Sequence, residues 1–217
     1  MISRRILVAG LAGVSASGLP ALAIAQANQP EFYPVPVELI ANLERLQGAV
    51  TLGPRNADIR LYEFFDYNCG WCRRTSVDSR ALIKANKDLA VVLVNYAVLG
   101  IPSISATRVA LAFSRQKADR YLDFHEALFR RRGTIDGQIA MDVAGTFGVD
   151  RKRLLDDADS DAVTAAMRAA SQLGSTLGFQ ATPSYLVGTE GFTGFLDRAA
   201  KQKAIEAWRQ CEKTRCA

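Results

Sequence analysis

The feature that most constrains this chain is a pair of cysteines separated by two residues, Cys69 and Cys72. The pair lies between a segment with the pattern of a strand and a segment with the pattern of a helix. The apolar, aromatic-rich run Ile59–Phe65 before the pair predicts a buried strand, and Arg73–Asn86 after it has apolar residues near helical spacing. A cysteine at a helix start faces unpaired backbone N–H groups and the positive end of the helix dipole, which favours its thiolate. The pattern therefore indicates a dithiol/disulfide redox site.

Two other interpretations of the cysteine pair need weighing. A zinc site requires two further ligands, and the other candidates, Cys211, Cys216 and the single histidine His125, lack the usual spacing. An inert structural disulfide between Cys69 and Cys72 is the other alternative. We favour the redox interpretation, with no metal and no cofactor.

The N-terminal residues have the pattern of a signal peptide. Arg4 and Arg5 form a short basic region, Ile6–Leu19 an apolar region, and Ala23–Ala25 a small-x-small cleavage pattern, so cleavage is expected after Ala25. General secretion is our first choice of route, and twin-arginine export is the alternative. The expected location is the periplasm, where cysteines are oxidised.

The mature chain has the size and charge of one soluble domain. About 190 residues remain after cleavage (217 minus 25), enough for a single core. Removing Arg4 and Arg5 lowers the formal charge from +5 to +3, too little to argue for nucleic acid. The run Arg130–Arg132 is interpreted as a helix end, where cations complement the dipole.

The remaining patterns predict an order of elements. The turn-rich segment 26–56 contains one short helix, Val37–Gln47, and Leu89–Tyr96 is a second buried strand. A hairpin over residues 183–193 and a last helix, Asp197–Arg209, end the chain. Between the second strand and the hairpin, helices are expected at Ser103–Arg115, Ala118–Arg131, Gln138–Phe147, Arg151–Asp157 and Asp161–Leu177.

The two C-terminal cysteines predict a structural disulfide. An exported chain with an even number of cysteines favours pairing of Cys211 with Cys216. Because residues five apart on a helix point in different directions, the helix must end near Cys211 for the sulfurs to meet.

This order resembles a thioredoxin fold interrupted by a helical domain, as in the DsbA-like exported thiol-disulfide oxidoreductases. The predicted fold class is therefore α/β, a thioredoxin fold with an inserted helical domain. The segments that carry the resemblance are 63–72 (EFFDYNCGWC), 124–129 (FHEALF) and 178–185 (GFQATPSY). The stretch FDYNCG is similar to the relatives that include ScsC, whereas DsbA itself has Pro-His where this chain has Gly70-Trp71.

The resemblance divides the chain into segments and assigns roles within them. Residues 57–102 and 178–217 would form the two parts of the thioredoxin fold, and residues 103–177 the helical insert. Cys69, at the exposed first position of the helix, would be the nucleophile, and Cys72 the buried resolving thiol. Thr182-Pro183 matches the cis-proline position, which would pair its backbone with an extended substrate by strand addition.

Three further side chains near these motifs are candidates for a role in the site. Glu63 matches an acidic residue beneath the site, where a buried carboxylate would relay the proton of the resolving thiol; the alternative is a strand-edge residue facing solvent. Trp71 is expected to offer substrate an apolar platform; the alternative is a surface aromatic that packs nowhere. His125, on an apolar helix face, is interpreted as structural.

The expected function is that of a cofactor-free oxidase of dithiols in exported proteins, reset by a membrane redox partner. The alternatives are a disulfide isomerase or reductase of the ScsC type, and a thioredoxin-fold module that binds copper through its thiolates. The resemblance implies that such isomerases are oligomers joined by an N-terminal region. Here the stripe Leu39, Leu43, Leu46 and Val50 is shorter than a convincing coiled coil, so a monomer is expected.

Overall fold

The computed structural model of the chain describes residues 31–216. The expected signal peptide, with its cleavage position, lies outside the described residues. No helix within 31–216 combines the length and apolar character needed to cross a membrane.

A mixed six-stranded sheet forms the centre of the described chain, in the order β1-β6-β5-β3-β4-β2. Strands β3 and β4 are parallel, and every other neighbouring pair is antiparallel. The strands are β1 (Tyr33–Pro34), β2 (Val50–Leu52), β3 (Ile59–Phe65), β4 (Leu89–Asn95), β5 (Ser184–Val187) and β6 (Glu190–Thr193).

Helices cover both faces of this sheet and fill the interval between β4 and β5. They are α1 (Val37–Glu44), α2 (Gly70–Thr75), α3 (Asp78–Ala85), α4 (Ile101–Gln116), α5 (Tyr121–Phe129), α6 (Gly137–Gly145), α7 (Arg151–Ala158), α8 (Asp161–Thr176) and α9 (Arg198–Cys211), with a 3-10 turn at Ala118–Arg120. Helices α4 to α8 are the helical insert of an α/β thioredoxin fold, as the sequence predicts.

The central strands are apolar because both of their faces are covered. Every residue of β4 is buried, which is typical of a strand in a parallel pair with helices on either side. Side chains alternate along β3: Leu61 and Phe65 join the core beneath the insert, whereas Tyr62 and Phe64 join a second core on the opposite face. The second core also takes up the α1 stripe, in which Leu43 is 1% exposed.

Three local predictions were wrong. The expected single helix Arg73–Asn86 is two helices, α2 and α3, separated at Ser76–Val77. The hydroxyls of Thr75 and Ser76 bond back to the carbonyls of Cys72 and Arg73 (3.3 and 3.0 Å), as Ser and Thr do near helix ends. The expected helix Val37–Gln47 ends at Glu44, and the short strands β1 and β2 were not predicted.

Candidate active site

Cys69 is the N-cap of α2, directly after the turn that leaves β3. Its backbone is extended (φ −78°, ψ 118°), and its sulfur accepts a hydrogen bond from the backbone N–H of Cys72 at 3.2 Å. This is the position where a helix start leaves N–H groups for an anionic cap. The expected exposure of Cys69 is wrong: the residue is 6% exposed, because Thr182 lies over its sulfur.

Cys69 and Cys72 are both free thiols in the described structure. Their surroundings shift their pKa values in opposite directions. A hydrogen bond from the Cys72 thiol is the largest cause that lowers the pKa of Cys69, to about 6, from its ordinary value of 9.0. Burial opposes this shift, and hydrogen bonds from the Thr182 side chain and from the backbone amides of Cys72 and Trp71 add to it. Burial is the main cause that raises the pKa of Cys72, which is 1% exposed. Cys69 is therefore the better nucleophile and leaving group at neutral pH.

Thr182 and Pro183 lie across from the cysteine pair, joined by a cis peptide bond. The Cys69 sulfur is 3.1 Å from the carbonyl oxygen of Thr182, close enough for the thiol to donate a hydrogen bond. Within residues 31–216, no backbone hydrogen bond uses the N–H or C=O of Thr182. Its main chain can therefore pair with an extended segment that approaches Cys69.

An aromatic surface adjoins the pair. The Trp71 side chain is 52% exposed, and its ring is 4.7 Å from that of Phe195, which follows β6. The Arg74 guanidinium lies over both rings, 5.8 Å from Trp71 and 5.6 Å from Phe195. Trp71 thus packs against a partner while keeping an open face. Sequence reasoning missed Phe195, because only the tertiary fold brings it to α2.

Glu63 lies beneath the pair, buried on β3, in a cluster of charges that the sequence did not reveal. Its carboxylate accepts a hydrogen bond from the Thr75 hydroxyl at 3.3 Å, and Lys201 Nζ is 3.7 Å away. The same Nζ is 3.2 Å from Asp78, and the Lys201 side chain is fully buried. Burial raises the pKa of Glu63, against the attraction of Lys201. The alternative of a solvent-facing strand-edge carboxylate is excluded.

A hydrogen-bond network fixes the turn that carries Cys69. Buried Asp66 accepts from the backbone N–H groups of Asn68, Val98 and Leu99 (2.8, 2.8 and 3.0 Å). It also accepts from the Ser103 hydroxyl at 2.6 Å. The residue before Cys69 is thereby tied to the start of the helical insert, a role that no spacing in the sequence indicates.

His125 is buried in the insert core and takes no part in this site. Its ring contacts those of Phe65 and Phe129, and burial lowers its pKa to about 3, so it is neutral at pH 7. The histidine is structural, as the sequence indicates.

The C-terminal cysteines pair with each other, away from Cys69 and Cys72. Cys211 and Cys216 form a disulfide with Cα atoms 6.0 Å apart, and α9 ends at Cys211, followed by Glu212 in the left-handed region (φ 53°). This pairing leaves Cys69 and Cys72 without the cysteines needed for a zinc site. Within 31–216, no three His, Cys, Asp or Glu side chains converge as a set of metal ligands.

Comparisons with known proteins agree with this geometry. The sequence model of a family described as "DSBA-like thioredoxin domain" matches residues 60–206. "Disulfide bond formation protein D" of Bacillus subtilis (strain 168) is 23% identical over 179 residues, 78% of this chain and 81% of that protein.

Two solved structures extend the comparison. A thioredoxin-like oxidoreductase from Silicibacter pomeroyi DSS-3 is 32% identical, with a TM-score of 0.72 over 78% of this chain and 97% of that one. The catalytic domain of Proteus mirabilis ScsC shares the fold at 22% identity, with a TM-score of 0.67 over 81% of this chain and 97% of that one.

Proposed function

Because the chain belongs to the DSBA-like thioredoxin family and is a thiol-disulfide oxidoreductase, we propose that it oxidises cysteine pairs in exported proteins. The opposite environments of Cys69 and Cys72 carry the proposal. A site that stabilises the thiolate of its reduced form holds its disulfide at a more oxidising potential. The pKa of about 6 at Cys69 has this effect.

The proposed reaction proceeds by two thiol-disulfide exchanges. A substrate thiolate attacks the sulfur of Cys69, the Cys69–Cys72 bond breaks, and Cys72 leaves with the electron pair and takes up a proton. A second substrate thiolate then attacks the substrate sulfur of the mixed disulfide, and Cys69 leaves as a thiolate. Two electrons have then passed from the substrate to the cysteine pair, which a membrane redox partner reoxidises.

Glu63 is proposed to supply and later recover the proton of Cys72. Burial raises the pKa of this carboxyl and so favours its protonated form, and its charged form raises the pKa of Cys72 in turn. A proton passed from Glu63 to the departing Cys72 thiolate would move the single negative charge from the sulfur to the carboxylate. Lys201 would hold the resulting carboxylate in place.

The proposed substrate is an extended or unfolded polypeptide. The main chain of Thr182, which no other backbone group of residues 31–216 binds, would pair with it by strand addition, with Pro183 holding that segment against Cys69. The face of Trp71 and the exposed apolar residues Val98, Leu99 and Ile101 would contact its side chains. These three residues lie beside the site because the network of Asp66 anchors their segment.

The proposed setting is the periplasm. The basic, apolar and small-residue pattern of residues 1–25 supports export, with cleavage after Ala25. The Cys211–Cys216 disulfide agrees with an oxidising compartment.

The reduction potential of the Cys69–Cys72 pair tests the oxidase proposal. We expect a value between about −200 and about −100 mV, measured against a glutathione series by tryptophan fluorescence. A value below about −250 mV would instead make the protein a reductant. A copper titration of the reduced protein in parallel tests the metal-binding alternative, which tight binding without dithiol oxidation would favour.

Trapping variants test the assignment of the two cysteines. Cys72→Ser should accumulate mixed disulfides between Cys69 and disulfide-bonded substrates, because the Cys69 thiolate can still attack a substrate disulfide but Cys72 is no longer present to displace the bound substrate sulfur. Cys69→Ser should accumulate none, and the reverse pattern would contradict the assignment.

A further inference from the structure

The arginine run Arg130–Arg132 follows the end of α5, as the sequence predicts, and it lies beside the active site. The backbone N–H of Ile135 donates to the Asn68 side-chain oxygen at 2.7 Å, and the Asn68 side-chain amide donates to the Ile135 carbonyl at 2.8 Å. The Arg73 guanidinium donates to the carbonyls of Arg131 and Gly133. The loop of residues 130–136, which follows α5, is therefore attached both to Asn68, the residue before Cys69, and to α2, the helix after it.

Four arginines on this surface lack a carboxylate partner. We call them the arginine surface: Arg73, Arg74, Arg131 and Arg132. Within the described residues, none of these four side chains forms an ion pair.

Four carboxylates on adjoining segments of the fold are already engaged. Arg80 binds Asp123 at 2.7 Å and Glu126 at 3.0 Å, and buried Asp66 is surrounded by its own donors. Asp136, on the adjoining loop, caps α6 through the N–H of Ile139 at 2.9 Å. The surface therefore presents uncompensated positive charge.

We propose that the arginine surface selects substrate segments that carry acidic residues next to their reactive cysteine. This deepens the proposed function and rests on it. Guanidinium groups bind carboxylates through paired hydrogen bonds, and a patch of one sign attracts oppositely charged partners from a distance.

The position of the surface favours a polypeptide as its occupant. Arg74 lies over the rings of Trp71 and Phe195. The loop that carries Arg131 and Arg132 is attached to Asn68, the residue before Cys69. Arginines therefore border the approach to Cys69 on both of these sides. A cysteine that reaches the Cys69 sulfur brings its flanking residues over these guanidinium groups. An acidic lipid surface would meet the same charges without placing a thiol at Cys69.

Paired peptides test the proposal. Three two-cysteine peptides, identical except for Glu, Gln or Lys beside the cysteines, are mixed with the oxidised protein, and the rate of electron transfer is followed by tryptophan fluorescence. Each rate is divided by the rate of the same peptide with hydroxyethyl disulfide, an uncharged oxidant, which removes the effect of the flanks on the peptide thiols. We expect the Glu peptide to react about tenfold faster than the Gln peptide at about 20 mM salt, and about twofold faster at about 300 mM.

Matched variants locate the effect. Arg131→Gln combined with Arg132→Gln should lower the Glu-to-Gln rate ratio to about two, because these exposed side chains supply half of the surface charge. Arg151→Gln combined with Arg168→Gln removes the same charge from α7 and α8 and should leave the ratio unchanged. Circular dichroism confirms that each variant is folded.

The possible outcomes separate this proposal from the proposed function. Equal rates for the three peptides would overturn the acidic preference, and a ratio that the Arg131/Arg132 variant leaves intact would overturn its assignment to the arginine surface. The oxidase function stands in both cases. Oxidation of none of the peptides would overturn the oxidase function itself. Absence of a peptide preference, together with sedimentation on phosphatidylglycerol vesicles that the same variant abolishes, would assign the surface to a membrane instead.

Discussion

At the scale of single residues, Cys69 and Cys72 lie one helical turn apart and yet have opposite tendencies to ionise. The Cys69 sulfur receives the N–H of Cys72, whereas the Cys72 sulfur points into the interior above Glu63. The protein therefore favours one thiolate and one thiol when the pair is reduced. In the oxidised protein the two sulfurs are joined in a disulfide, so neither of them can ionise.

This asymmetry predicts a pH-dependent gap in stability between the reduced and the oxidised protein. The pKa of Cys69 is about 6 when folded, against an ordinary value of 9.0. A group with a lowered pKa adds stability above its unfolded pKa and loses it as the pH falls through its folded pKa. The reduced protein should therefore gain stability over the oxidised one between about pH 6 and about pH 9, by on the order of 2 kcal/mol after discounting for solvent screening.

Urea unfolding of both redox forms at about pH 5.5, 7 and 8.5 measures this gap. His125 provides an internal control, because burial lowers its pKa to about 3 and so destabilises both forms alike as the pH falls below its ordinary value of 6.5. Its contribution cancels in the difference. A gap that stays constant over this range would contradict the pKa of Cys69.

At the scale of elements, long apolar or periodic segments could be predicted from sequence, and short ones could not. The strand Ile59–Phe65 is found as predicted, because a run that is buried on both faces is visible in sequence. The break between α2 and α3 was missed because residues 73–86 keep helical spacing across it. The break matters, since it lets Thr75 face Glu63 while Asp78 opens a new helix toward Lys201.

The buried charges that tie these elements together predict a large effect of one substitution. Lys201→Met leaves Glu63 and Asp78 inside the protein without their cation, so it should lower the free energy of unfolding by about 3–5 kcal/mol. The matched control Lys203→Met, at an exposed position of the same helix, should change it by less than about 0.5 kcal/mol.

Urea unfolding at pH 7 checks the effect of Lys201. Adding Glu63→Gln to Lys201→Met should recover part of the loss, because one uncompensated charge is removed. Equal stabilities of the Lys201 and Lys203 variants would show that the buried cluster carries no net stabilisation.

At the scale of the whole molecule, the candidate site is assembled from segments far apart in the chain. Phe64 on β3 is paired with Ser184 on β5, and this register places Thr182 over Cys69, which is 113 residues away. The cysteine pair could be predicted from its spacing and Thr182-Pro183 from the resemblance. The roles of Phe195, Lys201 and the partners of Asp66 could not be predicted. They depend on which segments meet in the folded chain, and local sequence patterns do not encode those contacts.

The packing of α1 predicts a monomer. The leucines proposed for a coiled-coil stripe are used inside the molecule, where Leu43 is buried and Leu39 and Leu46 pack against the same core. Multi-angle light scattering on residues 26–217 at micromolar concentration should give the mass of one chain. A dimer or trimer under these conditions would contradict this prediction and favour the isomerase alternative.

If the protein oxidises exported cysteine pairs as proposed, its C-terminal disulfide makes each newly made copy a substrate for the copies made before it. A chain emerging from synthesis carries Cys211 and Cys216 as thiols, so it must itself be oxidised to reach the form seen here. Under the proposed function, mature copies already outside the cell membrane could perform this step on their successors. Production of the finished protein would then be self-propagating: its rate would rise with the amount already present, and a cell emptied of it would recover only after a delay.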